Sequence, residues 1–143
     1  MLRWAPMDCK RLIAAALCLL FATACDEKTP TAPTASLERE FTLAPGETAA
    51  VDGASLRVQF VRVSGDSRCP ADAFCIQGGD ALVHIRAESG GAAADYELHT
   101  GDATRSAALH AGLRIQLMNL QPYPFSSRTI PPDEYRATLK VSR

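Results

Sequence analysis

From Leu37 onward the apolar residues recur at every second position, and that period leaves the chain little choice of fold. Side chains of an extended strand point alternately to opposite faces, so an alternating run puts one face on a core and the other in water. ALVHIRA sets Ala81, Val83, Ile85 and Ala87 against Leu82, His84 and Arg86. ADYELHT sets Ala94, Tyr96 and Leu98 against Asp95, Glu97 and His99. LRIQL contributes Leu113, Ile115 and Leu117, and YRATLKV contributes Tyr135, Ala137, Leu139 and Val141. No segment carries the period of a long amphipathic helix, and a single helical turn in PADAF is the most that is expected.

Two of these runs pair in a register the sequence specifies. Gly90-Gly91 can adopt the positive φ of a two-residue hairpin turn. Centring the turn there sets Val83 opposite Leu98, Ile85 opposite Tyr96 and Ala87 opposite Ala94 on one face. The other face then matches Arg86 with Asp95 and His84 with Glu97, base against acid. LAPGET, VDGAS and HAGL supply further turns. In SLRVQFVRV the apolar parity switches after Phe60, which predicts a bulge or a strand buried on both faces. The expectation is about eight strands, near 38–43, 47–51, 55–63, 81–88, 93–99, 105–109, 113–120 and 134–142. Short strands at this spacing predict an all-β fold, a single antiparallel β-sandwich or small barrel, over residues 37–143.

The N-terminal part reads differently. Arg3, Lys10 and Arg11 precede the apolar run LIAAALCLLFATA, the layout of a secretory signal and too short to span a bilayer as a mature helix. Met7 opens a second complete signal, so either Met1 or Met7 serves as initiator. Ala22, Thr23 and Ala24 lead to Cys25, and FATAC resembles the bacterial lipobox, with Ala22 where Leu is commonest. The resemblance implies a cleaved lipoprotein signal over 1–24 and a diacylglyceryl group on Cys25, with the membrane as partner through that lipid. DEKTPTAPTAS then reads as a proline-spaced, flexible tether over 25–36. The implied location is the bacterial cell envelope, at the inner or outer membrane, with the domain facing the periplasm or the exterior.

Removing the signal takes three basic side chains and one acidic from the chain's 15 and 16, leaving 12 and 15, a net charge of −3. No basic block remains, so nothing points to a nucleic-acid partner. Cysteine usage follows the same division. Cys9 and Cys18 leave with the signal and Cys25 carries lipid, so Cys69 and Cys75 remain as a pair in an oxidising compartment. A disulfide is expected between them. Thioredoxin-like catalysis uses two intervening residues, where here there are five, and a zinc site needs further ligands nearby.

DSRCP, four residues, then CIQGGDA resembles the signature of a group of small bacterial lipoproteins and secreted proteins. Asp66 to Pro70, Cys75, Gly79 and Ala81 match that signature, and Gln77 stands where Trp is common. The resemblance extends to LQPYP at 120–124 and DEYRATLKV at 133–141, and it implies no particular activity.

No nucleophile elbow, zinc-protease helix or phosphate-binding glycine loop occurs, so no catalytic residue and no cofactor is assigned. The favoured function is a non-catalytic binding or structural module of the envelope, with a protein or glycan partner. Asp66, Arg68 and Pro70 mark a candidate partner-binding loop. Arg68 has two readings: a clamp on Asp66 or on carbonyls, or a displayed base of the kind protease inhibitors present. His84 and His99 with acidic neighbours are the alternative metal-binding or enzymatic constellation on an exposed sheet face. His110 reads as a loop residue, and Met118 as packing at a strand end.

Overall fold

The computed structural model describes residues 32–143. The predicted signal 1–24, the lipid site Cys25 and the first residues of the tether lie outside them. The strands are β1 (Thr34–Ser36), β2 (Glu40–Leu43), β3 (Thr48–Asp52), β4 (Leu56–Asp66), β5 (Ala81–Ser89), β6 (Ala92–His99), β7 (Ala107–His110), β8 (Leu113–Gln121) and β9 (Arg136–Ser142). They form two sheets, ordered β1-β3-β4-β5-β6 and β2-β9-β8-β7, a β-sandwich rather than a closed barrel. Among the described residues no helix is long and apolar enough to cross a membrane. A single 3-10 turn spans Pro132–Glu134, while PADAF forms a turn held by the Ala73 N–H on the Pro70 carbonyl.

The β5–β6 hairpin adopts the expected register, with Val83↔Leu98, His84↔Glu97, Ile85↔Tyr96, Arg86↔Asp95 and Ala87↔Ala94. Gly90 and Gly91 both take positive φ at its turn. The parity switch in β4 is a bulge: pairing with β5 slips between Phe60 and Arg62 and again between Val63 and Gly65. Phe60 is fully buried in consequence and Val61 faces water. A second slip, between Leu117 and Asn119, turns Met118 outward, so it is exposed and not packed.

Two expectations change. The strands are not all antiparallel, because β1 pairs parallel with β3 at Thr34↔Ala50 and Ser36↔Asp52. The sandwich therefore begins before residue 37: Ala35 is buried in the core, and the last three residues assigned to the tether belong to a strand. A three-residue strand on a sheet edge leaves too short a pattern for period-two reading to find.

Between the sheets Val58, Phe60, Val83, Ile85 and Leu98 meet Leu43, Ile115, Leu120, Leu139 and Val141, all of them buried. The registers sort the connections to two ends. Residues 37–39, 53–55, 90–91 and 111–112 make tight turns at one end, the turn end. The connections 44–47, 67–80, 100–106 and 122–135 cluster at the other, the loop end.

Candidate functional site

The loop end is organised around Arg68. Its Nε donates to Oδ1 of Asp66 at 2.9 Å and its Nη2 to Oδ2 at 2.6 Å, a two-pronged ion pair. Nη1 donates to the carbonyl of Leu120 at 2.6 Å, and Nη2 also donates to that of Pro122 at 2.9 Å. The guanidinium lies 5.3 Å from the ring centroid of Tyr123. A planar fork with five donors suits this set of acceptors, which a lysine ammonium could not span. Burial pushes the Asp66 carboxyl upward, but the hydrogen bonds and charge of Arg68 and the hydroxyl of Tyr135 outweigh it, so the net shift is downward. The pair joins the end of β4 to the β8–β9 connection and thus one sheet to the other.

Arg68 is 8% exposed. Of its two readings, the clamp is the observed one. A protease-inhibitor loop must offer its basic residue to the enzyme, and Arg68 instead spends its donors inside the domain, so that role is withdrawn. Asp66 is likewise engaged inward, and Pro70 is half-buried. The three residues singled out thus hold the loop rather than form its exposed face.

The Cys69–Cys75 disulfide loop is formed as expected. The loop is fastened to the β8–β9 connection: the Ala71 N–H donates to the Pro124 carbonyl at 2.9 Å, and Asp72 Oδ1 accepts from the N–H and hydroxyl of Ser126 at 2.8 and 3.0 Å. Its outgoing arm is pressed against its incoming one. A Cβ on Gly79 would lie 1.5 Å from the Ser67 carbonyl oxygen, so only glycine fits there. Held this way, Phe74 and Ile76 are fully exposed, and Tyr123 and Phe125 are about half exposed. Sequence reading overlooked Phe74 and Ile76. The available signal was two bulky apolar residues flanking Cys75, one inside the small cysteine-closed loop and one just after it, in a segment that pairs with no strand.

The histidines do not form the exposed constellation that was expected. His99 is 4% exposed; its Nδ1 meets Asp80 Oδ2 at 2.5 Å and its Nε2 lies 3.3 Å from Glu97 Oε1. His84 is half-buried, with Nε2 2.6 Å from the Ser64 hydroxyl and 3.5 Å from Glu97 Oε2. Asp95 is committed to Arg86. The His99 Nδ1 is thus hydrogen-bonded to Asp80, and its Nε2 lies within ion-pair distance of Glu97. Among the described residues no three His, Cys, Asp or Glu side chains converge on a position a metal could occupy.

Asp80, which sequence reading did not select, is the centre of that network. Besides His99 it accepts from the Gly101 N–H at 2.8 Å and the Thr100 hydroxyl at 3.3 Å. Burial raises its carboxyl; the Gly101 N–H, the His99 hydrogen bond and charge, and Thr100 bring it below the ordinary range. It ties the exit of the cysteine loop to the β6–β7 connection. His110 is also corrected. It is a buried strand end, with Nδ1 3.0 Å from the Tyr96 hydroxyl, not a loop residue.

Between these struts lies a cleft of about 270 Å³ walled by Arg68, Gly79, His99, Ser106, Met118 and Tyr123. Arg68 there is paired with Asp66, the His99 Nδ1 faces Asp80, and the Ser106 hydroxyl donates to the Ala103 carbonyl. No family model, curated protein or solved structure matches this chain.

Proposed function

We propose that the chain is a lipid-anchored protein of a bacterial envelope, held to its membrane by acyl groups on Cys25, with the β-sandwich acting as a non-catalytic binding module through its loop end. One observation carries the binding half of this reading. Phe74, inside a loop that is covalently closed and hydrogen-bonded to its neighbour at Pro124 and Ser126, and Ile76, directly after the closing Cys75, are held out in water. Large apolar side chains exposed in a group mark interaction surfaces more often than isolated ones do. Their presentation on a fastened loop lowers the ordering cost of binding. The anchoring half rests on the FATAC sequence and the basic, apolar segment before it.

The test is the intact mass of the full chain made in a bacterium, with and without reductant and thiol alkylation. A diacylated or triacylated N-terminus at Cys25, with Cys69 and Cys75 alkylating only after reduction, is the expected result. An unlipidated chain removes the anchor from the proposal.

A further inference from the structure

The tip of the loop end is apolar and nearly free of charge. Residues 69–79 contain one Asp, Glu, Lys or Arg, Asp72, and residues 120–127 contain none. Asp72 is turned to Ser126. Phe74, Ile76, Tyr123 and Phe125 therefore present aromatic and aliphatic chemistry at this end, and the cation beside Phe125, Arg128, is paired with Glu134.

Chain direction says which way this tip faces. β1 runs parallel to β3 and so from the loop end toward the turn end, which means the residues before Thr34 head for the loop end. Pro33 already follows that line, its carbonyl accepting from the Ala50 N–H. Thr34 pairs with Ala50, and Ala50 with Arg57, nine positions before Asp66 on β4. At roughly 3.3 Å per residue the loop end lies on the order of 30 Å up the strand. The eight residues 26–33 reach roughly 25 Å when extended. That length is enough for a lipid on Cys25 to reach close to the level of the protruding loops.

We infer that the loop end docks on the bilayer that carries the anchor, Phe74 and Ile76 entering the boundary between headgroups and acyl chains and Tyr123 and Phe125 lying at its polar edge. This rests on the lipid-anchor reading above. Aromatic side chains favour that boundary, and interfacial binding grows with the apolar area inserted. A tip whose exposed large side chains are apolar and whose neighbouring Arg128 is paired with Glu134 suits a zwitterionic surface, so the docking is only weakly sensitive to salt.

The protein carries its own background for the test, since its one tryptophan is Trp4. On a Trp4→Phe background, Phe74→Trp and Ile76→Trp each report on the tip. Leu109→Trp reports on an exposed site near the turn end. The full chain, processed in a bacterium, is reconstituted into phosphatidylcholine vesicles with and without lipid brominated near the carbonyls, and flotation is measured alongside. The expected result is blue-shifted emission and about twofold or greater quenching at position 74 or 76, none at 109, with all variants floating. Vesicle-bound protein whose tip tryptophans are quenched no more than the one at 109, and stay open to aqueous iodide, overturns the docking while leaving the anchor intact. Protein that does not float overturns both.

Discussion

The Tyr135 hydroxyl donates to Oδ2 of Asp66 at 3.0 Å, linking the residue before the last strand to the end of β4 across 69 positions. Burial, the hydrogen bond to Asp66 and the charge of that carboxylate push the tyrosine up to about 12, against an opposing effect of Arg68. A phenol held neutral in the folded state contributes stability that is constant below pH 10, where the unfolded chain also keeps its proton. The contribution falls as pH rises from there to about 12. In an ultraviolet titration one of the three tyrosines is expected to ionise late. Tyr135→Phe should remove that late step.

Arg68 answers one carboxylate and two carbonyls at once, so its removal strands several buried acceptors. Arg68→Met should cost about 3–5 kcal/mol in urea unfolding, the usual result of breaking one side of a buried ion pair. Arg68→Lys should restore only part, because one ammonium cannot reach Asp66, Leu120 and Pro122 together. Full rescue by lysine would mean that charge alone matters here.

The three glycines around the cysteine loop should rank by what a methyl group meets. At Gly79 it meets the Ser67 backbone at 1.5 Å, at Gly101 the Gly79 carbonyl oxygen at 2.7 Å, and at Gly78 nothing within 4 Å. Gly79→Ala is therefore expected to lower the thermal midpoint most, Gly101→Ala less and Gly78→Ala hardly at all. Equal effects at 78 and 79 would contradict the close packing of the two loop arms.

Cys69 and Cys75 close a loop of seven residues, for which chain entropy gives about 2 kcal/mol. Cys69→Ser/Cys75→Ser should lose about that much stability, read as the urea midpoint, and the sandwich should still fold. Its core strands lie outside the loop.

Acid should act on two carboxylates. Asp66 and Asp80 are both held below the ordinary 3.8, so each contributes stability that is present above that pH and lost as pH falls through its lowered folded value. Asp80→Asn should flatten the loss of stability below about pH 4 in an acid unfolding series. An unchanged slope would show that Asp80 is not part of the acid response.

Most of the fold was legible because period-two patterning and turn glycines act locally. The β5–β6 register follows from Gly90-Gly91 and the matching of Arg86 with Asp95, and the β4 bulge from the change of parity after Phe60. β1 was not legible, since three residues have no period and its partner β3 is parallel and not joined to it by a turn. The site divides the same way. The cysteine pair could be read from compartment and count, whereas the burial of Arg68 depends on the Leu120 and Pro122 carbonyls, more than fifty positions away. His99 looked exposed because it alternates with Leu98, yet the β6–β7 connection carrying Thr100 and Gly101 folds over to Asp80 and covers it. Periodicity assigns a face, and it cannot report what a distant connection lays across that face.

The chain leaves the sandwich at the turn end, where the Arg143 guanidinium donates to the Gly53 carbonyl and its N–H to Glu38. The domain thus has two unlike ends, tight turns at one and long connections at the other. Any reporter joined after Arg143 is carried at the turn end, a whole strand length from Phe74 and Ile76.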